Sequence, residues 1–248
     1  MDNKLTKYFN ISEGNWHQNK IGTYHVSAIG NSHQDLEPEE HYGPCLRATA
    51  TQYTQPPDKT LHFLGTVHIG KLIHRIIQEN FKEKNPNAKI EYPIIIKKDG
   101  LIFKGSVDIL IREPDMVIDI KTANRFTFPS GKYDYNPTYV SQLKIYAGFL
   151  IRILENFNPE KVRIVYVEKS SLKTIEIDVS VSKEELEDAI KDFEERAKYL
   201  HECLTQDKFV IAEPHKWCKY CPLLKSVCIP RGDIEIVKKG RKTRYLKT

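Results

Sequence analysis

Hydrophobic positions along this chain follow two alternating rhythms. In "VHIGKLIHRIIQENFKEK" (67–84), Leu72, Ile73, Ile76, Ile77 and Phe81 recur at helical spacing, which predicts a helix over about 66–84. The next stretch, "AKIEYPIIIKKDGLIFKGSVDILIREPDMVIDIKTA", is apolar with turn signals at Asp99-Gly100 and Glu113-Pro114-Asp115. It predicts a meander of about four strands. "NPTYVSQLKIYAGFLIRILENF" (136–157) is apolar around most of its circumference, as a buried helix would be. "KVRIVYVEK" (161–169) and "LKTIEIDVS" (172–180) read as two further strands. Ser182, followed three residues later by Glu185, is a capping box opening a third helix that ends near Leu204. Residues 1–60 show no sustained rhythm and contain the Pro56-Pro57 break. This order predicts a mixed central sheet flanked by helices, of the α/β or α+β class.

Composition narrows the setting. Hydrophobic residues make up 40% and charged residues 29% of the 248 positions, the balance of an ordinary globular protein. A net charge of +5 permits a nucleic-acid partner without demanding one. No apolar run reaches the ~20 residues of a membrane helix, and "MDNKLTKYFN" lacks the apolar stretch of a secretory signal. The expected location is the reducing cytoplasm. There, five cysteines point to metal ligation or core packing rather than disulfides.

The stretch "GSVDILIREPDMVIDIKTAN" (105–124) sets Asp108, Asp119 and Lys121 among branched apolar residues. In a strand Asp119 and Lys121 share a face while Ile118 and Ile120 point into the core. A tight turn at Glu113-Pro114 brings Asp108 opposite Asp119 or one position away. Two carboxylates and a lysine on one face are a hard-oxygen site for Mg²⁺ or Mn²⁺. The same residues would also suit an edge hairpin whose polar face meets solvent. Nearby, His74 follows Gly70 by four residues, and Gln142 and Tyr146 stand at i and i+4 on one helical face.

Taken in order, the glycine with its histidine, the aspartate, Asp-x-Lys and Gln-x-x-x-Tyr resemble the signature of the RecB-like branch of the PD-(D/E)XK nucleases. The resemblance runs from Gly70 to Tyr146, with Asp119 where glutamate is commoner. It implies a restriction-endonuclease-like fold. It also implies a divalent metal held by His74, Asp108, Asp119 and the Ile120 carbonyl. Lys121 would position or deprotonate the attacking water, and Gln142 and Tyr146 would hold the substrate backbone. His68, six residues before His74, is the rival histidine.

Cys218-x-x-Cys221 and Cys228, with Cys45 far upstream, resemble the one-plus-three pattern of iron–sulfur nucleases, among them the small CRISPR-associated exonucleases. That resemblance implies a cluster, [4Fe–4S] by analogy, joining the two ends of the chain. Zinc is the alternative occupant, with His215 as a competing ligand. Cys203 reads as a packing residue. "YHVSAIGN" matches the start of the CRISPR-associated pattern, whereas "SHQDLEPEEHYGP" is an acidic insertion before Cys45.

The expected divisions are an N-terminal segment (1–60), a nuclease core (61–204), a cysteine-rich segment (205–232) and a basic tail (233–248). The tail is either a solvated end or a segment lying on DNA phosphate. No G-x-x-x-x-G-K-[ST] occurs, so ATP is not expected. The implied partners are DNA with single-stranded ends and the CRISPR integrase proteins. The competing functions are a stand-alone or virus-encoded nuclease of the same chemistry and a catalytically silent DNA-binding module.

Overall fold

The computed structural model describes residues 19–29, 45–54, 61–131, 134–211, 218–219, 221, 223–239 and 242–247. His215 and the acidic insertion lie outside them.

Asp99 and Gly100, both at positive φ (51° and 77°), turn β2 (Lys89–Lys98) back onto β3 (Leu101–Arg112). That is the two-residue turn whose twist matches paired strands. β4 (Asp115–Ala123) returns antiparallel to the far end of β3, with Ile109 opposite Ile118 and Arg112 opposite Asp115. The meander therefore holds three strands rather than four.

Next comes helix α3 (Pro137–Ile153), third in chain order after α1 (Leu46–Thr54) and α2 (Leu61–Lys84). Asn136 starts α3 by accepting from Thr138 N, with Pro137 in the first turn, where its missing N–H costs nothing. The helix ends four residues before the apolar pattern does, and Phe157 packs into the core from beyond it. β5 (Lys161–Glu168) lies parallel to β4, and β6 (Thr174–Ser180) antiparallel to β5. Helix α4 (Lys183–Thr205) begins with the reciprocal Ser182–Glu185 capping box.

Two elements fall where the sequence shows no rhythm. β1 (Thr23–His25) pairs parallel with β3, and α1 (Leu46–Thr54) follows it. Both are short, and both are held by burial of Tyr24, Leu46 and Tyr53 rather than by a periodic pattern. Residues expected as a tail pair instead as β7 (Ile234–Lys239) and β8 (Lys242–Lys247).

The sheet runs β1-β3-β4-β5-β6, with β2 on the other edge of β3. α3 and α4 cover one face through Phe103, Phe149 and Phe193, whose rings meet at 5.3 to 6.2 Å. α2 (Leu61–Lys84) covers the other, packing Ile73, Ile77 and Phe81 against Ile118 and Ile120. Leu72 and Ile76, counted in the apolar stripe from sequence, are more than half exposed because they lie about 100° around the helix from Ile73 and Ile77.

At Glu91 and Asp108 the strands exchange faces. Tyr92, Ile94 and Val107 pack with α3 and α4, whereas Ile90 and Ile109 pack with α2. Glu91 is at φ 48°, which breaks the pleat there. On the opposite edge of β3, β1 ends its pairing at Lys104 and β4 begins at Ile109. Gly105 to Asp108 lie in the gap.

Candidate active site

The gap in the ladder is where the predicted residues gather. Continuing the β3–β4 register one step past Ile109–Ile118 sets Asp108 opposite Asp119, the nearer of the two expected alignments. The strands have already diverged, and Asp108 Oδ2 accepts a hydrogen bond from Ile120 N at 2.6 Å. On α2, His74 Nδ1 lies 3.5 Å from the same oxygen. Lys121 Nζ lies 2.7 Å from Asp119 Oδ2 and 4.8 Å from the centre of the Tyr139 ring. Among the described residues, the Lys121 ammonium is the one partner of the buried Asp119 Oδ2.

From α3, Gln142 Oε1 accepts from Lys121 Nζ at 3.5 Å, and Gln142 Nε2 donates to the Tyr146 hydroxyl at 3.1 Å. Tyr146 fills the gap beside Gly105, where a side chain would stand 2.4 Å from its ring. At Gly70, α2 lies against β4; a Cβ there would make ordinary contact with Thr122 Oγ1 at 3.4 Å. His74, Asp108, Asp119, Lys121, Gln142 and Tyr146 line one open cleft of about 470 Å³. Of the two candidate histidines, His74 lines this cleft.

Burial and the facing Asp119 push the Asp108 carboxyl up to about 7. Burial likewise raises Asp119 and lowers His74. Burial alone would lower the Lys121 ammonium, but Asp119 and Asp108 outweigh it and hold the proton on. A site that raises its acids and keeps its lysine charged is short of positive charge, which a divalent cation supplies.

Among the described residues, no three His, Cys, Asp or Glu side chains form a ready cage for a metal. The carboxylates here are turned toward the Ile120 amide and Lys121 instead. Asp119 Oδ2, buried and already drawing the Lys121 ammonium to 2.7 Å, is an atom that fits a cation.

Sequence reasoning missed a supporting layer. Gln78, one helical turn after His74, donates to Glu91 Oε1 at 2.7 Å and to the Asp108 carbonyl at 3.3 Å. Ser106 donates to the other Glu91 oxygen at 2.8 Å. Helical spacing from His74 would have found Gln78; Glu91 carries no sequence signal, because it depends on the break in the pleat. His25, Ser27 and Lys104, also missed, line the far part of the cleft.

The cysteines divide. Cys203 is buried in the main core, as expected of a packing residue. Cys218 and Cys228 pack with Leu224 and Ile234 in a small apolar cluster, and Cys221 N donates to Cys218 O at 2.9 Å. Arg47, two residues after Cys45, donates to Cys228 Sγ at 3.3 Å, to Val210 O at 2.7 Å and to Asp233 Oδ2 at 2.9 Å. The start of α1 is thereby tied to the C-terminal segment.

A mixed sheet between helices, with two acids and a lysine at diverging strands, defines the class of PD-(D/E)XK-type phosphodiesterases. The profile of the PD-(D/E)XK nuclease superfamily matches residues 71–228, more than half of the chain, and the chain belongs to that superfamily. Nucleases of this superfamily act with Mg²⁺ or Mn²⁺. Among curated proteins none matches. The crystal structure of SSO0001 superposes with a TM-score of 0.52 at 21% identity, covering 92% of this chain and 96% of that one. An exonuclease candidate from Eubacterium rectale gives a TM-score of 0.48 at 13% identity, covering 93% of this chain and 95% of that one. No described helix is long and apolar enough to cross a membrane.

Proposed function

We propose that this chain is a metal-dependent deoxyribonuclease that removes nucleotides from single-stranded ends. The observation that carries the reading is the buried Asp119 carboxylate, paired with Lys121 at 2.7 Å and gathered with Asp108 and His74 in one open cleft. Asp108, Asp119, His74 and the Ile120 carbonyl would hold Mg²⁺ or Mn²⁺, which polarises the scissile phosphate and acidifies water. Lys121, kept charged by Asp119, orients the attacking water and balances the charge that develops on the phosphate. Gln142 fixes Lys121 from behind and is itself fixed by Tyr146. The open cleft suits a flexible strand.

Within this proposal, Cys45, Cys218, Cys221 and Cys228 ligate an iron–sulfur cluster, [4Fe–4S] rather than zinc. The support is chemical and topological. All four are thiol donors, and the Arg47 side chain, two residues after Cys45, reaches Cys228 Sγ at 3.3 Å and so brings the two ends of the chain together. The role assigned is trimming of spacer precursors ahead of CRISPR integration, on the strength of the cysteine pattern and the "YHVSAIGN" stretch.

End-labelled single-stranded DNA incubated with Mn²⁺, Mg²⁺ or EDTA tests the nuclease, beside Asp119→Ala and Lys121→Ala. Metal-dependent shortening lost in both variants is the expected result; equal cutting by Asp119→Ala sinks the assignment. Iron and acid-labile sulfide analysis of anaerobically purified protein tests the cluster, and a zinc-only result would replace it.

A further inference from the structure

The catalytic cleft continues well past its acids. β1 brings His25 alongside Lys104, with Val26 N donating to the Lys104 carbonyl at 2.9 Å. Ser27 follows on the turn, and His25, Ser27 and Lys104 line the same cleft as Asp108 and Asp119. Across the ladder from Lys104 stands Ile95, 57% exposed.

The charges in this cleft are unevenly matched. Lys121 is paired with Asp119, and His74 leans on Asp108. Among the described residues, Lys104 has no carboxylate partner. His25 stands beside it in the β1–β3 register, and burial of the ring together with the Lys104 charge lowers its pKa, so the neutral imidazole can donate one N–H. A cation, an imidazole and a hydroxyl on this stretch of the cleft, none of them paired with a carboxylate among the described residues, are donors awaiting an anion. Lys104 is four strand residues from Asp108, about 13 Å along β3 at most. That is the scale of a short run of nucleotides. Ile95, beside Lys104 on β2, offers an apolar surface for a sugar or base next to the phosphate.

We propose that His25, Ser27 and Lys104 form a phosphate subsite for the DNA strand, set back from the scissile bond along β3. This rests on the nuclease reading and names how that site holds its substrate. The phosphate comes from one of two sources: the internal backbone of the strand or a terminal phosphate at its end.

The test is binding rather than turnover. Fluorescence anisotropy in EDTA measures the affinity of wild type, Lys104→Gln, Lys104→Arg and His25→Asn. The probes are single-stranded oligonucleotides bearing a 5′-phosphate, a 3′-phosphate or neither, titrated across a series of salt concentrations. Loss of one phosphate contact reduces the slope of log affinity against log salt by about 0.7 on a single strand. Lys104→Gln is expected to show that loss, Lys104→Arg to restore it, and His25→Asn to weaken binding without altering the slope as strongly. Equal loss on all three probes assigns an internal phosphate; loss confined to one phosphorylated probe assigns that terminus. An unchanged slope and affinity in Lys104→Gln overturns the subsite, and so does a wild type that binds none of the probes. Cleavage by wild type in Mn²⁺ is scored separately. A protein that binds with the predicted slopes but never cuts would keep the subsite and remove the nuclease.

Discussion

Replacing Gly105 by alanine tests whether Tyr146 serves the site through its position. A Cβ at residue 105 would stand 2.4 Å from Tyr146 Cε1 and 3.3 Å from Cδ1 and Cζ. Ordinary contact begins at 3.4 Å, so the ring must retreat by about 1 Å, and overpacking of this kind costs about 1–3 kcal/mol. At about 3 °C per kcal/mol for a chain of this size, the melting temperature falls by roughly 3–9 °C. The retreat also moves the hydroxyl that receives the 3.1 Å hydrogen bond from Gln142, and Gln142 holds Lys121. A displacement of about 1 Å at a positioning group costs on the order of 100-fold in rate. Gly148→Ala is the matched control. Its Cβ would stand 2.6 Å from Ile190 Cδ1 and 2.9 Å from the Leu186 carbonyl, between α3 and α4. It should lower the melting temperature at least as far while leaving kcat within about twofold at temperatures where the protein is folded. The assay is thermal denaturation followed by single-turnover cleavage with Mn²⁺. Wild-type kcat in Gly105→Ala, or an equal loss in Gly148→Ala, would refute the reasoning.

Three further outcomes follow from the structure. The Asp108 carboxyl is raised from 3.8 to about 7 in the metal-free protein, so between those values the fold holds a proton that the unfolded chain releases. Metal-free protein should therefore lose stability as pH rises from 5 to 8, Asp108→Asn should flatten that loss, and Mn²⁺ should raise the melting temperature at pH 8 but not at pH 5; a metal-free melting temperature that climbs through this window refutes it. Arg47→Ala removes contacts to Val210, Cys228 and Asp233 from a side chain that is 7% exposed, so it should cost about 2–3 kcal/mol and hasten proteolysis of the C-terminal segment. Arg47→Lys should not rescue it, because one ammonium cannot reach three acceptors in a fork. Phe126 is 96% exposed, and Phe126→Ala should change stability by less than about 0.5 kcal/mol in a thermal melt.

Much of this fold was legible because its long elements obey one period each. The Ser182–Glu185 box, the Asp99-Gly100 turn and the apolar circumference of α3 all say locally what the structure does globally. β1 and α1 were not legible, since three and nine residues held by long-range contacts leave no repeat to read. Spacing puts Asp119 with Lys121 and Gln142 with Tyr146 on shared faces, and it was the resemblance that joined these pairs to Asp108 and His74 in the cleft they all line. Glu91 and Lys104 depend on where two strands diverge and exchange faces. That is a property of pairing, and no single segment records it.

The bond from Arg47 to Asp233 spans 186 positions of chain, which gives it a meaning during synthesis. A ribosome makes β2 through α4 before it makes Asp233, so Arg47 waits for its last acceptor until the segment beyond α4 has been added. Closure of the ends is then a late event, available only to chains that reach Asp233. A prematurely terminated product would carry the cleft residues without the fastening.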